Sequence, residues 1–259
     1  MTTSASSDLS KRAERAALIA GSTPAAAEPL RFAAVLFRAQ ARLAEAIAGR
    51  PLTGVLAQDA AALVEPGRAL LESVVGAAPA LLAQAARERR ADAPEHFAAR
   101  LQVYWLGDLG SQDDYLSRAL LRGYCAVLAA SPVQPDRPRA PRGCPFCGGP
   151  PLVSARRPDG DTTRRLLCCG LCGGEWPVNR IHCPACGEED PPRLPSFQSG
   201  LHPSARIEGC DTCRRYLKSI DLSLDGRLIP EVDDLASLGL DLWAVEQGYT
   251  RVEPGLAGL

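Results

Sequence analysis

The chain of 259 residues is poor in aromatic side chains, at 5%, and has only three histidines. Nowhere do eighteen apolar residues run together, so no segment reads as a membrane-crossing helix. The first thirty residues, MTTSASSDLSKRAERAALIAGSTPAAAEPL, contain no apolar run of signal-peptide length and no cleavage pattern. The expectation is a cytosolic protein, in which thiols stay reduced and clustered cysteines serve as metal ligands or redox dithiols instead of disulfides. An excess of charge of one sign is also missing: the net charge of −1 gives no global pull toward nucleic acid or membrane. His96 is the first half's only histidine, and no Ser/His/Asp, phosphate-loop or metal pattern surrounds it. Catalysis is therefore not expected from that half.

Cysteine is abundant. Eight of the ten cysteines fall into four Cys-x-x-Cys pairs: Cys144/Cys147, Cys169/Cys172, Cys183/Cys186 and Cys210/Cys213. A Cys-x-x-Cys turn places two sulfurs around a common point, and two such turns brought together by a hairpin complete a tetrahedron. Twenty-one residues separate Cys147 from Cys169 and twenty-three separate Cys186 from Cys210, the length of a knuckle, a hairpin and a second knuckle. Two similar modules in tandem follow. The first and second pairs are expected to form one metal site and the third and fourth the other, because sequential closure needs the shorter loops. Gly148, Gly173 and Gly187 directly follow a second cysteine, where a tight turn needs positive φ, while the fourth pair has Arg214 there. Cys168, outside the Cys-x-x-Cys spacing, reads as a spare thiol facing away from the metal. His182 and His202 are weaker ligand candidates, and Trp176 reads as apolar cover for one site.

The first half is Ala-rich and punctuated by proline. LRFAAVLFRAQARLAEAIAG after Pro29 carries an apolar stripe at helical spacing. Further helices are expected near 66–76, 79–91 and 94–106, each opened by a proline. Another follows a capping box formed by Ser111 and Asp114. In SPVQPDRPRAPRG prolines recur at every third position, which reads as a semi-rigid polyproline spacer. PLVSARR and TTRRLLC flank the turn Pro158-Asp159-Gly160-Asp161 and predict a hairpin, and a second hairpin joins the third and fourth knuckles. A strand then follows Cys213. Pro230 opens a last helix whose Leu235, Leu238, Leu242 and Val245 are expected to share the packed face.

Charge is distributed unevenly. Residues 137–218 carry thirteen basic and eight acidic side chains, and residues 219–259 carry two and eight. Eight thiolates with two divalent ions contribute −4, which brings the cysteine region near neutrality and leaves only the tail strongly biased.

The elements CPFCGG, CCGLCGGEW, CPACG and CDTCRRYLK, followed by VDDLASLGLDLWAVEQGYTR, resemble the formate dehydrogenase accessory protein family. The similarity extends more weakly to PLRFAAVLFRAQARL and LQVYWLGDLGSQDDYLSRALLRGYCAVLA. The resemblance implies a cytoplasmic, non-enzymatic helper that contains iron. It would act on the catalytic subunit of respiratory formate dehydrogenase during maturation, before Tat export. The implied architecture is α+β and multidomain. An all-α helical domain occupies 1–131, a Pro-rich linker 132–142, two rubredoxin-like or zinc-ribbon modules 143–181 and 182–222, and an acidic helix and tail 223–259.

Tetrahedral thiolate accepts zinc as readily as iron, and resemblance alone favours iron. A rubredoxin-like electron carrier and a zinc-ribbon nucleic-acid binder are the alternative functions. The second lacks the basic stripe and interleaved aromatics it would need. The carboxy-terminal helix, with Asp233, Asp234, Asp241 and Glu246 beside Leu242 and Trp243, is the expected surface for the paired arginines of the exported subunit's signal peptide.

Overall fold

The computed structural model describes residues 5–107, 114–139 and 141–258. The chain divides into two compact units, one of Met1–Arg15, Arg31–Arg139 and Phe146–Gly148, the other of Ala16–Leu30, Ala140–Pro145 and Gly149–Leu259. Among the described residues no helix is long and apolar enough to cross a membrane.

Among the described residues of the first half there are six α-helices: α1 (Ala5–Ala20), α2 (Ala27–Ala48), α3 (Leu56–Val75), α4 (Ala80–Arg90), α5 (Pro94–Leu106) and α6 (Tyr115–Ala129). α1 precedes the first helix expected from the sequence, the one after Pro29. Pro66 corrects another expectation, because it lies inside α3 and does not open it. A proline there cannot donate to the carbonyl of Ala62, four residues earlier. Arg50 Nη1 donates to that oxygen instead, at 3.4 Å. Next to it, Gly67 admits the ring of Phe97 from α5, where a side chain would collide. Asp114 is itself the N-cap of α6, accepting from the Ser117 amide at 3.0 Å. Ser111, the other half of the expected capping box, lies outside the described residues. Cys125 is fully buried on α6, as a small hydrophobe should be.

The Pro-rich segment, expected as a semi-rigid spacer, makes specific contacts. Asp136 donates its amide to the Gly54 carbonyl (3.0 Å) and accepts from Trp105 Nε1 (2.7 Å). Gly54 takes φ 81°, and a Cβ there would collide with the Gln134 carbonyl. The Thr53–Gly54 turn is in turn fixed by Asp59, which accepts both amides and the hydroxyl of Tyr124 at 2.6 Å. Arg137, also buried, donates to the Cys147 carbonyl at 3.2 Å.

In the second half β1 (Pro151–Asp159) and β2 (Thr162–Cys169) form the first expected hairpin, with β3 (Glu175–Pro177) added at the β2 edge. The second hairpin is β4 (Ser196–Gln198) with β5 (Ala205–Cys210), continued antiparallel by β6 (Arg215–Asp221). The two are not separate sheets. β1 and β6 pair in parallel, giving one sheet of order β3-β2-β1-β6-β5-β4, to which β7 (Thr250–Arg251) is added beside β6.

The carboxy-terminal helix is two helices, α7 (Pro230–Leu235) and α8 (Leu238–Glu246). The break has a local cause. In a continuous helix the Asp234 carbonyl would accept from the Leu238 amide. Here it is taken by the Ser237 amide (3.1 Å), the Ser237 hydroxyl (2.9 Å) and the Lys218 ammonium (2.6 Å). The break rotates α8 away from the expected packing. Leu240 and Ala244 enter the core with Val153, Ala155, Ile207 and Ile220, whereas Leu242 and Val245 face solvent.

Candidate metal centres

Each Cys-x-x-Cys pair forms the same turn. Gly148 (φ 68°), Gly173 (φ 73°), Gly187 (φ 85°) and Arg214 (φ 55°) all take the left-handed backbone that follows the second cysteine. The amides of Gly173, Gly187 and Arg214 donate to the carbonyl of the first cysteine of their pair at 3.1, 2.9 and 2.8 Å. The turn also aims amides at sulfur: Leu171 and Cys172 donate to Cys169 Sγ at 3.3 and 3.4 Å, and Gly174 to Cys172 Sγ at 3.3 Å. Such donors stabilise thiolate over thiol.

The structure brings Cys144, Cys147, Cys169 and Cys172 together in one group and Cys183, Cys186, Cys210 and Cys213 in a second, with all sulfurs of a group within 4.8 Å. Four sulfurs bound about 2.3 Å from one ion stand about 3.8 Å apart. The separations Cys144–Cys172 (3.6 Å), Cys183–Cys213 (3.8 Å) and Cys186–Cys210 (3.6 Å) have that size. Burial pushes the Cys183 and Cys213 thiols up, and contact with further thiols adds to this. Four sulfurs this close cannot all ionise without a cation between them, and a divalent ion supplies it. Both sulfur sets therefore fit a tetrahedral thiophilic ion.

The remaining candidates fall elsewhere. Cys168 packs in the apolar cluster with Val153 and Ile220. Burial pushes its thiol well above the ordinary range, as does neighbouring Glu175. His182 contacts Glu189 at 3.3 Å. His202 lies near Gly239 of α8. Trp176 sits on β3 opposite Leu167.

Residues 143–180 match the FdhE central domain and residues 181–257 the FdhE C-terminal domain. The crystal structure of the FdhE protein from Pseudomonas aeruginosa superposes with a TM-score of 0.68 at 27% identity, over 96% of this chain and 94% of that one. In sequence over residues 143–257, and in fold over nearly its whole length, this chain is similar to FdhE proteins. An FdhE homologue of Aquifex aeolicus is 39% identical over 116 residues, and one of Pseudomonas aeruginosa is 39% identical over 118. These alignments cover 44% of this chain in each case, and 41% and 38% of the two relatives, so the chain aligns with about two-fifths of their length.

The FdhE-like sheet also holds a polar cluster that sequence reasoning misassigned. Asp234 and Asp241, taken as exposed acidic residues, are 1% and 0% exposed, and Asp233 is also buried. Arg251 donates to Asp234 at 2.7 Å and to Asp241 at 2.9 Å. The Lys218 ammonium pairs with Asp241 and, at 3.1 Å, with Asp234, while Tyr216 donates to Asp241 at 2.8 Å. Two carboxylates and two cations compensate each other. Burial opposes ionisation of Asp234, but Arg251 and Lys218 outweigh it and hold its carboxyl below the ordinary range. The cluster thus ties YLK of β6 to VDDL, DLW and YTR of the carboxy-terminal segment. It also removes Asp233, Asp234 and Asp241 from any partner-binding surface.

Proposed function

We propose that this protein is a non-enzymatic accessory factor for maturation of respiratory formate dehydrogenase. It acts in the cytoplasm on the catalytic subunit before Tat export and holds two metal ions, iron in preference to zinc. The ligands are Cys144, Cys147, Cys169 and Cys172 at one site and Cys183, Cys186, Cys210 and Cys213 at the other. The observation that carries this reading is the pair of sulfur tetrahedra of metal-binding size within an FdhE framework. Four sulfur ligands leave no open coordination position for substrate, which argues against hydrolytic metal chemistry. The test is metal analysis of anaerobically purified protein combined with capture of the apo catalytic subunit, with and without its signal peptide. Two metal equivalents and capture by the loaded protein are expected. Failure of the fully loaded protein to capture either form overturns the reading.

One observation favours a second reading, rubredoxin-like electron transfer. Cys186 is exposed and Cys213 partly so, which gives the second site a solvent-facing sulfur edge. A reversible one-electron metal couple that is required for maturation would establish it. Maturation at full rate with zinc in both sites would exclude it.

A further inference from the structure

A cavity of about 110 Å³ lies against Cys183 and Cys210 in the sheet-containing unit. One buried water needs roughly 10–15 Å³ by the same kind of measure, so there is room for a small polyatomic ion with its waters. Four arginines line the cavity, Arg165 from β2, Arg180 from the segment before the third knuckle, Arg206 from β5 and Arg215 from β6, with Glu208 as the only carboxylate. Arg165 is largely engaged: it donates to Glu208 at 3.0 and 2.8 Å and to the carbonyls of Asn179 and His182 at 3.0 and 2.9 Å. Arg206 shares the same carboxylate, at 3.3 and 3.0 Å. Among the described residues neither Arg180 nor Arg215 has an ion-pair partner.

The crowding extends beyond the lining. Arg156, on β1, pairs with Asp221, yet its Nε has no hydrogen-bond partner. Burial and then the nearby charge of Arg206 make its guanidinium easier to deprotonate than usual. A metal-loaded second site carries −2 spread over four sulfurs, and four guanidinium groups against Glu208 still leave the cavity positive. Like charges gathered at a partly desolvated site are costly unless an anion joins them. The planar fork of arginine donors matches the oxygens of phosphoryl and carboxylate groups.

We propose that this cavity binds one oxyanion group, phosphoryl or carboxylate, held by Arg180 and Arg206 with Arg215 at the rim. The site lies beside the second cysteine cluster without using its sulfurs. A ligand held there would sit on the wall formed by Cys183 and Cys210. The inference is independent of which polypeptide the protein serves.

The test uses the full, metal-loaded chain. Inorganic phosphate and acetate are titrated separately against chloride at equal ionic strength, with melting temperature as the readout and metal content checked throughout. A saturable rise with at least one anion is expected, together with at least a tenfold weaker apparent affinity in a variant combining Arg180→Gln and Arg206→Gln. Arg227→Gln, which alters an exposed arginine paired with Asp225, should leave the titration unchanged. Response to phosphate alone assigns a phosphoryl ligand, and response to acetate alone assigns a carboxylate. If the double variant loses metal, Arg180→Gln decides, since it removes no ion pair seen in the structure, and a severalfold loss is expected. No saturable rise with either anion, or titrations unchanged in the arginine variants, overturns the proposal.

Discussion

The two cysteine clusters share one turn and one grouping of four sulfurs but differ in access. All four sulfur residues of the first are buried, with Cys147 at 0% exposure, whereas Cys186 and Cys213 of the second reach solvent. The difference lies outside the turns. Over the first knuckle runs the Pro-rich segment: Arg137 holds the Cys147 carbonyl, and Gly148 lies so close to the Pro138 carbonyl that a Cβ would collide. At the corresponding position of the third knuckle an added Cβ would meet only the end of the Arg142 side chain. A stretch that composition marks as a spacer therefore acts as a seal. The same four-cysteine arrangement can be closed in one place and open in another, depending on what the rest of the chain lays over it.

The largest expected effect comes from removing a sealed ligand. Cys147→Ser should cost at least one metal equivalent and unfold the sheet. A structural tetrathiolate ion contributes about 10–16 kcal/mol in small domains, comparable to the roughly 5–15 kcal/mol that holds a domain folded. Because β1 and β6 pair directly, disorder at the first site should spread to the second. Cys186→Ser, at a solvent-facing position, should weaken metal binding while the sheet persists. Metal analysis, circular dichroism and limited proteolysis distinguish these outcomes. Loss of most helical signal in Cys147→Ser would defeat the view that the helices have a core of their own.

Next in size is the buried ion cluster behind β6, the strand that joins the two halves of the sheet. Lys218→Met leaves Asp234 and Asp241 with only Arg251 as a cation, and breaking such a pair costs about 3–5 kcal/mol. Denaturant melts should show that loss, with both sites releasing metal sooner. A cost below about 1 kcal/mol would remove the cluster from the account of how the sheet is held.

Much of this was legible in the residues. Four Cys-x-x-Cys pairs with loops of twenty-one and twenty-three residues carry their own geometry, and the grouping of sulfurs follows from it. The hairpin around Asp159-Gly160 was equally plain, because turn chemistry is local. What failed was nonlocal. Nothing in the pattern around Asp234 announces that an ammonium sixteen residues earlier will take its carbonyl, break the helix and turn Leu242 outward. Nor does proline spacing reveal that Asp136 will meet Trp105. Pro66 was misplaced for the same reason, since the donor that rescues Ala62 comes from Arg50 in a different turn.

A direct measure of the two clusters is metal release to a chelator. The second site should empty at least ten times faster than the first, with Cys186 and Cys213 alkylated before any other cysteine. Arg137→Ala tests the cause. It removes a buried donor to the Cys147 carbonyl, worth about 1–3 kcal/mol when lost, and should raise the first site's release rate toward that of the second. Equal rates in the unaltered protein would mean that sulfur exposure does not govern release.

The smallest expected change in stability concerns Arg214, the only non-glycine residue with positive φ among those described. The left-handed conformation costs a side-chain-bearing residue about 1–2 kcal/mol, so Arg214→Gly relieves strain. The same change gives up ordering contacts. Arg214 Nη1 meets Asp211 at 2.8 Å, Nη2 meets the Gln247 carbonyl at 2.5 Å, and the guanidinium lies 4.0 Å from the Tyr249 ring centre. An exposed cation–π contact and an exposed ion pair each contribute about 0.5–1 kcal/mol, and glycine adds a backbone-entropy penalty of about the same size. These terms nearly cancel, and the melting temperature should move by only a few degrees. Local order should change more. Arg214 ties the fourth knuckle to residues 247–250, whose Thr250 amide donates to the Arg214 carbonyl at 2.8 Å. Without the side chain that anchor loosens, so metal release from the second site should accelerate severalfold while the first site is unaffected. Hydrogen exchange at residues 247–252 should rise in parallel. If neither release nor exchange changes, the arginine only replaces the glycine found in the other three knuckles and does nothing further for the open site.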